Sequence, residues 1–131
     1  MVPIATMLGA IEEKWIERKI LPLLKEGKDV RVFHTAMVAV AHGYTRMKLA
    51  TRILAAATRL AKEKGFTFAI AEATVYGSQL AFRSLGYQTD EEFRMAYESF
   101  QMADGSRPFK GCVEPSHCHL VELNLHESKI Q

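Results

Sequence analysis

Three sets of residues in this sequence could do chemistry. His117, Cys118 and His119, with Cys112 just upstream, offer the nitrogen and sulfur ligands that zinc takes. Strand alternation puts His117 and His119 on one face and Cys118 on the other, so one ion would not gather them. The segment therefore reads as a strand carrying surface histidines. Glu12, Glu13 and Glu72 are carboxylates that could accept a proton. Glu72 ends an apolar strand, where a structural role is favoured. His34 stands in an apolar run and reads as a core histidine with its ring satisfied rather than as a base. Cys112 has no visible partner that would activate it as a nucleophile.

These residues have to be positioned by elements that the hydrophobic spacing predicts. Ile4, Leu8, Ile11 and Trp15 recur at helical spacing, so 4–20 is expected to be an amphipathic helix. Pro22 should end or kink it, with a short helical piece running on to Gly27. Residues 30–41 carry almost no charge after Arg31 and read as a long strand buried on both faces. A polar turn follows at His42–Arg46. Met47, Ala50, Leu54, Ala57 and Ala61 then mark a helix over about 47–64, stopped at Gly65. Residues 66–71 read as a strand, 76–85 as a helix closed by Gly86, the stretch around Phe93, Met95 and Tyr97 as a strand, and 117–125 as a last strand. The order predicts a βαβα middle with parallel strands and an antiparallel pair at the end: an α/β (α+β) mixed sheet flanked by helices.

Composition bounds the class. The 131 residues are 48% hydrophobic and 24% charged, as in an ordinary single-domain globular protein. The net charge of +2 argues for neither nucleic acid nor membrane as a partner. The two cysteines are not a CxxC pair and read as reduced thiols, which points to the cytoplasm.

Two stretches carry a family resemblance. Met37-Val-Ala-Val-Ala-His-Gly-Tyr-Thr-Arg-Met-Lys-Leu-Ala-Thr-Arg-Ile-Leu54 resembles the main cofactor motif of the GNAT N-acetyltransferases, a strand leading through an Arg/Gln-x-x-Gly-x-Gly/Ala turn into a helix. Tyr44 matches the aromatic residue before the motif and Ala50 its last small residue. Glu72-Ala-Thr-Val-Tyr-Gly-Ser-Gln-Leu-Ala-Phe-Arg-Ser-Leu-Gly-Tyr87 resembles the family's strand–helix ending in Leu-Gly-Phe or Leu-Gly-Tyr. The later Asp-Gly-x-Arg-Pro-Phe and Pro-x-His are similar to the arylalkylamine and dopamine N-acetyltransferase branch.

The resemblance implies acetyl-CoA as co-substrate and a small primary amine as acceptor, joined by direct attack on the thioester. Met37, Val38 and Val40 would offer strand backbone to the pantetheine arm, with an amide near Val38–Val40 as oxyanion donor. Thr45, Arg46, Met47, Lys48, Leu49 and Ala50 would form the helix-start cradle for the pyrophosphate, and His42 lies in the same turn. Ser78 would act as general acid toward the leaving thiolate, with Thr74 as a second hydroxyl. The family's tyrosine acid is Phe82 here, on the helix that flanks the cofactor.

The sequence also departs from the family pattern. Thr45 replaces the Arg or Gln, and Lys48 stands where the central glycine lets backbone approach phosphate. Lys48 either obstructs that approach or replaces it with an ammonium charge. The family's front strands have no counterpart before residue 30. The sequence is thus expected to hold a single partial GNAT domain: a helical lead-in over 4–27, a cofactor-binding core over 30–87, and antiparallel strands over 88–131. An uncovered strand edge implies a homo-oligomer, such as a homodimer, that completes the sheet. The alternative is a non-catalytic GNAT-like module that binds a partner.

Overall fold

The computed structural model describes residues 3–36 and 48–130. Helix α1 (Pro3–Trp15) opens the chain, and its backbone continues through a π-helical turn (Ile16–Ile20) into α2 (Leu21–Lys25). Pro22 falls in the short α2, just after the π-helical turn. A proline cannot donate to the carbonyl four residues back, and its ring crowds that carbonyl. The chain answers by widening the turn just ahead of it, so that the Leu21 N–H bonds the Ile16 carbonyl five residues back.

Four strands follow: β1 (Val32–Thr35), β2 (Phe68–Ala73), β3 (Gln88–Ala96) and β4 (His117–Asn124), with α3 (Leu49–Glu63) between β1 and β2 and α4 (Tyr76–Ser84) between β2 and β3. The sheet order is β1-β2-β4-β3. β1 and β2 are parallel, and β4 runs antiparallel to both β2 and β3. This is the α/β mixed sheet with flanking helices that the pattern of elements predicts.

Both faces of the sheet are covered. On one, α1 presents Met7, Ile11 and Trp15, spaced one turn apart, to Ile70, Phe93, Cys118 and Leu120. The Trp15 ring stands edge-on to Phe68 at 5.8 Å, and its Nε1–H donates to Glu122 Oε2 at 3.2 Å. On the other face, α3 and α4 bring Leu54, Ala61 and Phe82 onto Ala69, Ala71, Ala73, Val121 and Leu123. The alanines of β2 face these two helices and its larger side chains face α1.

One expectation is corrected. Residues 30–41 were expected to form a strand buried on both faces. Residues 37–41 lie outside the described residues; over the rest, β1 covers Val32–Thr35, partly exposed and, among the described residues, at the edge of the sheet. With β2 on one side only, its side chains stay partly accessible, and His34 is exposed.

Candidate functional site

The α1 face brings three titratable side chains together at the carboxyl ends of the two parallel strands, where ligands collect in open α/β sheets. Alternation explains the placement. Val32 in β1 and Phe68 and Ile70 in β2 pack on the α1 side. His34 and Glu72, each two residues further on, therefore point the same way. Glu12 follows the buried Ile11 on α1 and reaches over them. Ligand atoms of Glu12, His34 and Glu72 all lie within 4.8 Å of one another.

Within this group His34 Nε2 and Glu72 Oε2 are 2.6 Å apart. The Glu72 side chain is 5% exposed and that of His34 34% exposed, so the pair runs from the interior to solvent. Glu72 Oε1 is buried and finds no hydrogen-bond donor. Burial raises the Glu72 pKa above its ordinary value; His34 opposes the rise, and the Glu12 carboxyl beside it adds to it. With Glu72 ionised, His34 Nε2–H donates to it. Nδ1 is then left as a proton acceptor on an imidazole oriented by a carboxylate. The arrangement suits taking a proton from an incoming ammonium group. One nitrogen and two carboxylates from three elements also form a donor set that could hold a divalent cation.

Neighbouring groups are inert by comparison. Cys118 is buried under α1, and its thiol is pushed up to about 11, chiefly by burial, with the Glu72 charge adding to the rise. Tyr97 is held protonated by burial, and its hydroxyl donates to the Thr74 carbonyl at 2.7 Å. Neither serves as a nucleophile near neutral pH. The Cys112, Cys118, His117 and His119 set is not drawn together: Cys118 is in the α1-side core, while His117 and His119 alternate to the opposite face.

Ser78 is the third residue of α4. Its Oγ–H donates to the Val75 carbonyl at 2.8 Å, and the Val75 N–H approaches the same oxygen at 3.4 Å, so it caps the first turn. Thr74 lies between β2 and α4. Phe82 is in the core, edge-on to the Tyr87 ring at 4.9 Å. At the start of α3, Lys48 takes φ 54°, the left-handed conformation, and no side chain caps the helix. A lysine thus holds a backbone shape usually given to glycine. Leu49 and Ala50 follow in the first turn. Met37, Val38, Val40, Thr45, Arg46 and Met47, with His42, lie outside the described residues.

Sequence reasoning named Glu12, His34 and Glu72 separately but missed that they meet. A signal was present: Glu72 is the one charge in Phe68–Ala73, at a position that alternates with alanines. The pairing of β1 with β2 and the path of α1 across them could not be read from spacing.

No protein-family model matches the chain, and no curated protein sequence matches it; the likeness is structural. A mosquito arylalkylamine N-acetyltransferase, like 5b, superposes with a TM-score of 0.67 at 18% identity over 93% of this chain and 62% of its own. Arylalkylamine N-acetyltransferase 2 from Aedes aegypti gives 0.67 at 20% identity, covering 89% of this chain and 52% of that one. The polyamine N-acetyltransferase of Drosophila melanogaster gives 0.58 at 17%, covering 71% and 44%. The fold is therefore GNAT-like, as in the insect amine N-acetyltransferases. The chain spans about three-fifths of the length of the first of these structures.

Proposed function

We propose that the protein is an N-acyltransferase that moves an acetyl group from acetyl-CoA to a small primary amine. The observation that carries this reading is the His34–Glu72 pair at the carboxyl ends of the parallel strands of a GNAT-like sheet. The amine nitrogen attacks the thioester carbonyl, its proton passes to His34 Nδ1, and Glu72 stabilises the resulting imidazolium. Ser78 supplies the proton to the departing thiolate, giving up its bond to the Val75 carbonyl. Lys48, held left-handed at the start of α3, brings its ammonium charge toward the diphosphate, with Leu49 and Ala50 offering first-turn N–H groups. The matched proteins named for arylalkylamines and polyamines make those amines the substrates to try first. Cys112 and Cys118 are both free, in keeping with a reducing, cytoplasmic setting.

Calorimetry with CoA and acetyl-CoA, followed by an acetylation assay over aryl and polyamine acceptors, tests the reading. Binding near micromolar and turnover lost in His34→Gln are expected. No heat and no thermal shift at millimolar cofactor would sink it.

A second reading is favoured by the free edge of β1, which pairs with β2 alone among the described residues. Unpaired backbone groups there invite another strand. In this reading a second copy completes the sheet, and the chain is a non-catalytic oligomerisation module. A strict monomer in sedimentation rules it out.

A further inference from the structure

The α4 face carries a basic cluster that acyl transfer does not use. Thr89 pairs with Val121 and Arg94 with His119 across β3 and β4. Val121 belongs to the core beneath α3 and α4, so its cross-strand and same-face neighbours Thr89, Arg94 and His119 also point toward α4. There, Arg83 on α4 joins Thr89 and His119 around a cavity of about 330 Å³. Arg83, Thr89 and His119 thus line the cavity with no anion among them, and Arg94 stands beside His119, close enough for its charge to act on that ring. Arg83 and Arg94 take part in no ion pair among the described residues. Two acids of β3 are engaged elsewhere: Asp90 accepts the Glu92 N–H, and Glu92 pairs with Arg18 of the π-helical turn.

Two of these groups are buried without a partner, the Thr89 hydroxyl oxygen and Arg94 Nε. Native proteins seldom leave such atoms unpaired, and a bound ligand is one way to satisfy them. Other polar groups in the wall are satisfied. Gln79 Nε2 donates to the Ala73 and His117 carbonyls, and the Tyr87 hydroxyl pairs with Thr58. The His119 pKa is lowered by burial and then by the charges of Arg94, His117 and Arg83, so the pocket repels a proton as it would attract an anion.

We propose that this pocket binds a phosphate group, free or carried as a monoester on a small molecule. Two fixed guanidinium charges balance a dianion: Arg83 lines the cavity with Thr89 and His119, from three elements, and Arg94 flanks it beside His119. Donors arriving from α4, β3 and β4 suit a tetrahedral oxyanion better than a planar carboxylate. The cavity is at the small end of ligand pockets, with room for a short organic group beyond the anion. This inference does not depend on the acyl-transfer reading.

The test is thermal stability of the full chain at matched ionic strength with inorganic phosphate, glycerol 3-phosphate, sulfate or acetate, alongside NMR titration of His119. Phosphate and glycerol 3-phosphate should raise Tm, acetate should not, and bound phosphate should raise the His119 midpoint. Arg94→Gln should weaken phosphate at least about tenfold, as loss of a charge-assisted contact does. Should that variant fail to fold, Arg83→Gln on the exposed side of α4 should show the same loss. Tighter glycerol 3-phosphate assigns the seat to a monoester, and equal affinity assigns it to free phosphate. Equal response to acetate, no response to any anion, or an unmoved His119 midpoint overturns the proposal.

Discussion

The two faces of this sheet bury comparable apolar clusters but resolve their polar residues in opposite ways. Under α1, Glu12, Glu72 and His34 form an acid-rich group in which one hydrogen bond of 2.6 Å links the exposed ring to a buried carboxylate. On the α4 side, Arg83 and Arg94 bring positive charge beside His119 and take part in no ion pair among the described residues. A buried charge is tolerated when it is paired or can change its protonation. The α1 group has both routes, because a proton can be shared among two carboxylates and an imidazole. The half-buried Arg94 guanidinium, whose Nε is buried without a partner, has neither route, since it is in no ion pair among the described residues and does not deprotonate in proteins. The first face is therefore suited to moving protons, and the second to holding a fixed negative charge brought from outside.

The largest effect expected from breaking this comparison is on the packing that both faces share. Trp15 is fully buried and Phe82 is 4% exposed. Trp15→Ala and Phe82→Ala should each cost about 3–5 kcal/mol in urea melts followed by circular dichroism. Similar losses would show that the sheet is clamped equally from both sides. A loss under about 1 kcal/mol for Trp15→Ala would mean that α1 is not docked as described. The next effect is catalytic and confined to the α1 face. His34→Gln should lower kcat for acetyl transfer at least about a hundredfold, or about 2.7 kcal/mol, with little change in Tm. Arg94→Gln should leave kcat unchanged. Equal losses in both variants would end the division of labour between the faces.

How far this could be read from sequence depended on whether the signal was local. Helices α3 and α4 were legible because Leu54 and Ala61 repeat at helical spacing and because Gly65 and Gly86 supply the left-handed stops, at φ 82° and 95°. The antiparallel ending was legible in the alternation around Phe93 and in residues 117–125. The edge position of β1 was not legible, because an apolar run looks the same at an edge as in the middle of a sheet. The short helical piece beyond Pro22 was legible, but the π-helical turn ahead of it was not, because hydrophobic spacing does not register one wide turn. The catalytic candidate on α4 illustrates the limit: Ser78 lies in the first turn with its hydroxyl engaged in capping, a contact that spacing did not reveal. Neither the acidic trio nor the basic cluster could be assembled without the register of four strands.

A smaller effect tests whether Glu72 behaves as a strained acid. Its pKa is raised in the fold above the ordinary 4.5, first by burial. Folding therefore favours its protonated form. That contribution to stability is fully present below about pH 4.5 and fades as pH rises through the folded pKa. Glu72→Gln stays neutral and should flatten this dependence. The difference in unfolding free energy, wild type minus variant, should fall as the pH of the urea melts is raised above 4.5. A difference that grows with pH would mean the His34 contact dominates burial, and that the pair is an ordinary salt bridge.

The smallest expected effect lies at the start of α3. Lys48 holds φ 54° with a side chain that glycine would lack. The left-handed backbone costs an L-residue about 1–2 kcal/mol, while glycine gives back part of that gain as unfolded-state entropy. Lys48→Gly should therefore raise stability by less than about 1 kcal/mol. If the ammonium serves the diphosphate, the same variant should bind CoA more weakly, and Lys48→Met, which keeps the strain but drops the charge, should bind equally weakly. Tighter CoA binding by Lys48→Gly than by wild type would instead make Lys48 an obstruction. In that case the strain it stores would serve neither cofactor nor fold, and the free edge of β1 would become the better guide to function.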